Sequence, residues 1–255
     1  MSSIVYQNGI KQDPNTFSEG SSLIFIDGGA RVGELYPDEN GKGVYFEVDK
    51  ENNCLKVRDD LGKHVDYSFM PFPFTVNQKY FAFAEIHMFE PNPEFLEELE
   101  KKAKFISKLN CIVWIHQIAI GTSTQDITLR LTDGGWGSTI CPDKQNETFI
   151  DEITVKQCDF VGFLNAINNR YENTELSPEI HLKLDIEGAE YDVLKRMFSA
   201  WYPPCSAVKS LSVEFHKDFY PDKHDKWVAD HWHAILSLMK NLKKLLRIIL
   251  SVMVL

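Results

Sequence analysis

Residues Leu23-Ile24-Phe25-Ile26 form an apolar run that ends in Asp27, and Gly28-Gly29-Ala30-Arg31-Val32-Gly33 follows at once. Such a run, bounded by glycines, reads as a buried strand. A strand feeding a glycine turn is how a parallel α/β sheet presents backbone to a nucleotide-sized ligand at its carboxyl edge, because glycine lets the chain come close. The turn is not G-x-G-x-x-G, since Ala30 stands where a second glycine is needed. That disfavours a nicotinamide-dependent reductase. An acid placed directly before the turn suits the cationic end of a ligand better than a pyrophosphate.

The chain has 255 residues, enough for one α/β domain over residues 1–255, and its 44% apolar and 25% charged content is that of a globular protein. A net charge of −10 argues against nucleic acid as the main partner. The five cysteines are scattered and never form C-x-x-C, which excludes a zinc or disulfide framework and suits a reducing, cytoplasmic setting. The N-terminal residues lack a signal-peptide core. The terminal apolar run from Leu245 to Leu255 is interrupted by Arg247 and is short of the roughly 20 residues that span a bilayer. A last buried strand from Arg247 to Leu255 is expected there rather than a membrane segment, although Lys240, Lys243 and Lys244 before it leave a membrane-surface helix open.

The pattern along the chain predicts strands at Leu23–Ile26, Ile86–Phe89, Ile112–Ile120, His181–Ile186 and Ser210–Phe215, with a short β segment at Ile127–Leu131. Helices are expected from Glu94 to Leu109, from Asp159 to Asn168, through Phe198 and from Trp227 to Leu246; Phe95, Leu99 and Ala103 recur at helical spacing. Strands alternating with helices imply a mostly parallel, doubly wound sheet. Residues 35–83 read as an insertion beside the ligand, holding a hairpin (Val44 to Val48 with Cys54 to Arg58) and an extended aromatic stretch, Met70 to Phe74. His231 and His233 read as structural, since i, i+2 positions of a helix do not share a face.

Three stretches stand in order: Phe25-Ile26-Asp27-Gly28-Gly29-Ala30 with Gly33, then Phe89-Glu90-Pro91-Asn92-Pro93, then Lys183-Leu184-Asp185-Ile186-Glu187-Gly188-Ala189-Glu190. Together they resemble the FkbM family of methyltransferases, over most of residues 20–220. The resemblance implies a Rossmann-like class I fold with a seven-stranded sheet, S-adenosyl-L-methionine (SAM) as cofactor, and hydroxyl acceptors, often on sugars. The insertion and the Gly28-Gly29 pair depart from the family pattern.

Within that reading Asp27 orients the SAM amino group or nearby backbone, with Gly28, Gly29, Ala30 and Gly33 giving close approach; a turn-forming Asp is the plainer alternative. Glu90 ends the second strand, where a carboxylate can accept ribose hydroxyls. Asn92 contacts the adenosine or simply makes the turn. His116 to Gly121, including Ala119, forms a wall for the base, and the resemblance puts Ser138 in a loop near SAM, with a surface turn as the alternative. Asp185 and Glu187 alternate on one strand end and Glu214 and His216 on the next, so these four and Asp27 should converge at one sheet edge. Asp185 or His216 is expected to take the hydroxyl proton, with Glu187 holding substrate or cofactor. Helix capping for the two acids, a surface role for His216 and a divalent metal among the four are the competing readings; nothing in the spacing singles out a metal.

The expected activity is SAM-dependent O-methylation of a sugar or similar hydroxyl. The alternatives are a methyltransferase with an N-linked or protein acceptor, and a binding module that keeps the fold without the chemistry. This fold usually finishes on an antiparallel strand pair, and one apolar run is left after the long helix. A sheet lacking that last strand exposes an edge and favours a homodimer.

Overall fold

The structure is a computed structural model. It describes residues 3–16, 20–33, 36, 46–49, 54–57, 84–135, 137–144, 147–172, 177–199, 205, 207–217 and 223–231.

The first apolar run is the strand β3 (Leu23–Gly28). Two hairpin strands precede it, β1 (Ser3–Gln7) and β2 (Ile10–Gln12). β4 (Phe46–Asp49) and β5 (Cys54–Val57) pair antiparallel, as expected of the insertion; the aromatic stretch lies outside the described residues. After them come β6 (Glu85–Phe89), α1 (Leu96–Ser107), β7 (Ile112–His116), β8 (Ala119–Gly121), β9 (Gln125–Thr132), β10 (Phe149–Asp159), α2 (Phe160–Asn169), β11 (Glu179–Leu184), α3 (Glu190–Ser199), β12 (Val208–Val213) and a helix α4 over 223–231.

The main sheet has the order β12-β11-β3-β6-β7-β1-β2. It is mixed: the pairings from β12 to β7 are parallel, while β7–β1 and β1–β2 are antiparallel. β3 is buried on both faces, which is why it reads as an unbroken apolar run rather than an alternating one. Its side chains still alternate: Ile24 and Ile26 join a core with α2 and α3, and Phe25 joins the opposite core with Leu99, Ala103 and Ile106 of α1. Sheet order reverses between β3 and β11, whose strands leave in opposite directions along the sheet, and crevices for ligands form at such points.

One expectation needs correction, and two elements carry no signal in the sequence. The apolar stretch Ile112–Ile120 is not one strand: it breaks at Gln117, so that β7 stays in the main sheet and β8 pairs with β10 in a separate three-stranded sheet with β9. An uninterrupted apolar run carries no signal for such a sheet switch. The long strand β10, polar and exposed along most of one face, has too little apolar alternation to stand out in the sequence. The N-terminal segment forms strands because Val5 and Tyr6 are buried against β7, covering that edge. The long helix begins at residue 223, and its part beyond 231, His233 and the expected last strand lie outside the described residues. His231 is structural: its Nδ1 donates to the Trp227 carbonyl at 2.9 Å, and its ring stacks on the Trp227 ring.

Candidate active site

A cleft of about 310 Å³ opens at the carboxyl ends of β3, β6, β11 and β12, within the size range of small-molecule sites. Two turns shape it. Gly29 has φ of +80°, and a Cβ there would lie 1.8 Å from the Asp185 carbonyl oxygen, so the β3 turn and the residue after β11 touch only because Gly29 has no side chain. The second turn carries Glu187 at φ of +54° and Gly188 at +102°. β11 therefore ends at Leu184, and strand alternation does not govern Asp185 and Glu187 as the sequence suggested. Both reach the cleft nonetheless, because the turn folds Glu187 back.

Gly29, Glu90, Ala119, Ser138, Asp185, Glu187, Glu214 and His216 line the cleft. Asp27, Gly28, Ala30, Gly33 and Asn92 do not, and they support it from behind. Asp27 is 1% exposed and bonds Lys183 Nζ at 3.3 Å with Tyr36 facing it; burial keeps its carboxyl above the ordinary range despite the lysine. Gly28 leaves room for Ile120 and the Lys183 carbonyl, and Gly33 packs on Leu99 and Lys102, whose Nζ donates to the Gly33 carbonyl at 2.7 Å. Asn92 takes the turn role, its Oδ1 accepting from Glu94 N at 3.1 Å to start the short helix Pro93–Phe95.

Glu90 is fixed by backbone. Its Oε2 accepts from Arg31 N at 2.9 Å and its Oε1 from Asn92 N at 2.8 Å. Burial, against those two bonds and with Asp27 nearby, pushes its carboxyl up to about 7. Ser138 Oγ donates to the Gly135 carbonyl and accepts from Thr132 N, so it holds the glycine loop rather than offering a free hydroxyl.

The charged heart of the cleft is a chain of ion pairs. Lys183 Nζ bridges Asp27 (3.3 Å) and Asp185 (3.2 Å), and these two acids, against the cost of burial, hold its ammonium above the usual lysine range. Asp185 also faces His216 Nε2 at 3.6 Å. His216 Nε2 lies 3.3 Å from Glu187, and its Nδ1 lies 3.2 Å from the fully buried Glu190. Burial favours the neutral ring, but hydrogen bonds to Glu187 and Glu190 outweigh it and push the imidazole up to about 11. Lys144 is the last cation, 2.9 Å from Glu187 and 2.7 Å from the Gly137 carbonyl. Burial would raise Glu187; His216 and Lys144 together hold it down at about 2.

This arrangement removes His216 as the expected proton acceptor. An imidazole charged near neutral pH has no lone pair to take a proton. Glu214 has that capacity: exposed at the mouth of the cleft, its side chain makes no hydrogen bond or ion pair among the described residues, and partial desolvation by the cleft wall with Asp185 nearby raises its proton affinity. Asp185, Glu214 and His216 also place one ligand atom each within 4.8 Å of one another, and a cation there would have to displace the proton that Glu187 and Glu190 hold on the His216 ring.

Lys183 and Glu190 stand in the third motif without a role read from the sequence, and Lys144 stands in none of the motifs. A signal for Lys183 exists, since it stands two residues before Asp185 and pairs in parallel register with Asp27. Glu190 caps the turn, accepting from Gly188 N at 2.8 Å and His216 N at 3.1 Å, a role no spacing rule foretells.

Comparison with known proteins assigns the class, a methyltransferase: the model of the methyltransferase FkbM domain matches residues 27–244. That span takes in the first motif from Asp27 onward, the whole of the other two, and most of the chain. The chain belongs to the FkbM methyltransferase family, as the motifs implied. No curated protein and no solved structure matches it. No helix among the described residues is long and apolar enough to cross a membrane.

Proposed function

We propose that this chain is a SAM-dependent O-methyltransferase acting on a hydroxyl of a sugar or similar acceptor. The observation that carries the reading is the acid-rich cleft at the point where sheet order reverses. Numbered along the chain, the parallel strands β7-β6-β3-β11-β12 run 3-2-1-4-5, the order of a Rossmann-like sheet, which supports the class I fold.

The residues present fit SAM. A cleft whose carboxylates outnumber its cations attracts a ligand bearing an ammonium and a sulfonium. Glu90 would hold the ribose hydroxyls with the lone pairs its backbone donors leave, beside Ala119 and Ile118; Gly29 and the Ser138 loop would give backbone contacts. When bound, SAM supplies an electrophilic methyl group. Asp185, held by Lys183 and His216, would orient the acceptor, and Glu214 would take the proton that the acceptor hydroxyl gives up. Positioning lowers most of the barrier. Four cysteines, Cys111, Cys141, Cys158 and Cys205, are buried and free, which supports a reducing, cytoplasmic setting.

Calorimetry with SAM tests the reading on the wild type and on Glu90→Ala. Binding by the wild type, weakened at least tenfold in the variant, is the expected result. A folded wild type that binds no SAM would overturn it in favour of a module that kept the fold alone.

A further inference from the structure

A second cavity, of about 480 Å³, lies between the β8-β10-β9 sheet and α3. Ile140 lines both this groove and the cleft, so the two are neighbours across one side chain. At its centre is Gln157, only 7% exposed. The Gln157 Oε1 accepts from Ser123 Oγ (3.4 Å) and Gln125 Nε2 (3.3 Å). Its Nε2 donates to no protein acceptor among the described residues. The amide lies against Gly121, whose missing Cβ leaves room for it. Gln157 lines the groove, so its amide donors are available to a hydrogen-bonding ligand there.

The rest of the groove specifies the ligand. Lys223 is braced between Asp143 (3.9 Å) and Asp192 (3.7 Å) on the far side. Two carboxylates against one ammonium disfavour an anion, and a lysine between them disfavours a cation. Donors and acceptors interleave above an apolar bed of Ile127, Ile140 and Val193, which suits a neutral molecule carrying many hydroxyls.

We propose that this groove is the recognition subsite for a neutral, polyhydroxylated acceptor, a sugar or glycan, whose reactive hydroxyl reaches past Ile140 into the cleft. The proposal rests on the methyl-transfer reading above and adds where the acceptor is recognised.

Saturation-transfer NMR on the full chain, with a panel of neutral methyl glycosides, tests it. SAM affinity is measured in parallel by calorimetry on the wild type, Gln157→Leu and Lys223→Met. The expected result is saturable binding of at least one glycoside, weakened about tenfold in each variant by loss of a hydrogen-bond donor, with SAM affinity within about twofold of wild type. A protein that binds SAM but no glycoside overturns the proposal, as does glycoside binding that neither variant changes. If Gln157→Leu fails to fold, Lys223→Met, at the rim, decides alone. Glycoside binding weakened by the variants in a protein that does not bind SAM would uphold the groove and overturn the methyl-transfer reading instead.

Discussion

Glu-x-His occurs in three places, Glu85-Ile86-His87, Glu179-Ile180-His181 and Glu214-Phe215-His216, and the first and last end in opposite chemistry. On β6, period-2 alternation puts Glu85 and His87 on one face, 2.9 Å apart. His87 bonds His116 at 2.8 Å, His116 bonds Ser3 Oγ at 2.9 Å, and Arg170 closes the far end on Glu85. Glu85 is held down at about 2 by His87 and Arg170 in spite of its burial. His116, with a histidine and a hydroxyl for neighbours, is pushed well below the usual imidazole range by burial. After β12 the strand has ended, so Glu214 and His216 do not pair. The ring turns to Glu187 and Glu190 and becomes a cation, while Glu214 is left to the cleft. The same tripeptide pattern gives a closed structural ladder inside a strand and an open reactive group beyond one.

The comparison breaks first at Glu214. Glu214→Gln should lower kcat for methyl transfer by about 10²–10⁴, the usual contribution of a positioned base, with SAM affinity unchanged in calorimetry. An equal loss of kcat from Glu85→Gln would erase the distinction between the two regions.

Glu190→Ala should destabilise the fold by about 3–5 kcal/mol in urea unfolding, because the His216 cation and two backbone N–H groups lose a buried partner. Glu190→Gln keeps an acceptor oxygen and should recover a good part of that loss. A near-neutral Glu190→Ala would mean that Glu187 alone holds the imidazolium.

Glu85→Ala should cost less, about 2–3 kcal/mol, since Arg170 is partly exposed and can regain water. SAM affinity should not change. A variant that loses SAM binding without losing stability would join the ladder to the cleft.

The smallest effect separates the two histidines by pH. His216, raised in the fold, contributes stability that is complete below its unfolded value of about 6.5 and is lost as pH rises towards 11. His116, lowered in the fold, contributes stability present above about 6.5 and lost as pH falls below it. Relative to wild type, His116→Gln should therefore lose about 1.5 kcal/mol less between pH 6.5 and 5. Equal slopes, from thermal unfolding at each pH, would show that His116 takes up no proton on unfolding.

Much of the site could be read from the chain because motifs at strand ends are local. Gly29, Glu90, Ala119, Ser138, Asp185, Glu187 and His216 were expected at the ligand and do line the cleft. Asp27, Gly28, Ala30, Gly33 and Asn92 were expected there and stand behind it, because depth beneath a turn depends on what packs against it. The strand bounded by Ile112 and Ile120 could not be divided, since both halves are equally apolar and their partners lie far away in sequence.

The sequence by itself determined the family, the glycine turn, the acids at the strand ends and the alternation of strands and helices, all of which are written in local order and spacing. Only the tertiary structure decided the charge on each group. The protonation of His216 depends on Glu187 and Glu190, that of Lys183 on Asp27 and Asp185, and the freedom of Glu214 on where β12 stops. Those neighbours come from other elements, and electrostatic energy depends on distance and burial rather than on position in the chain.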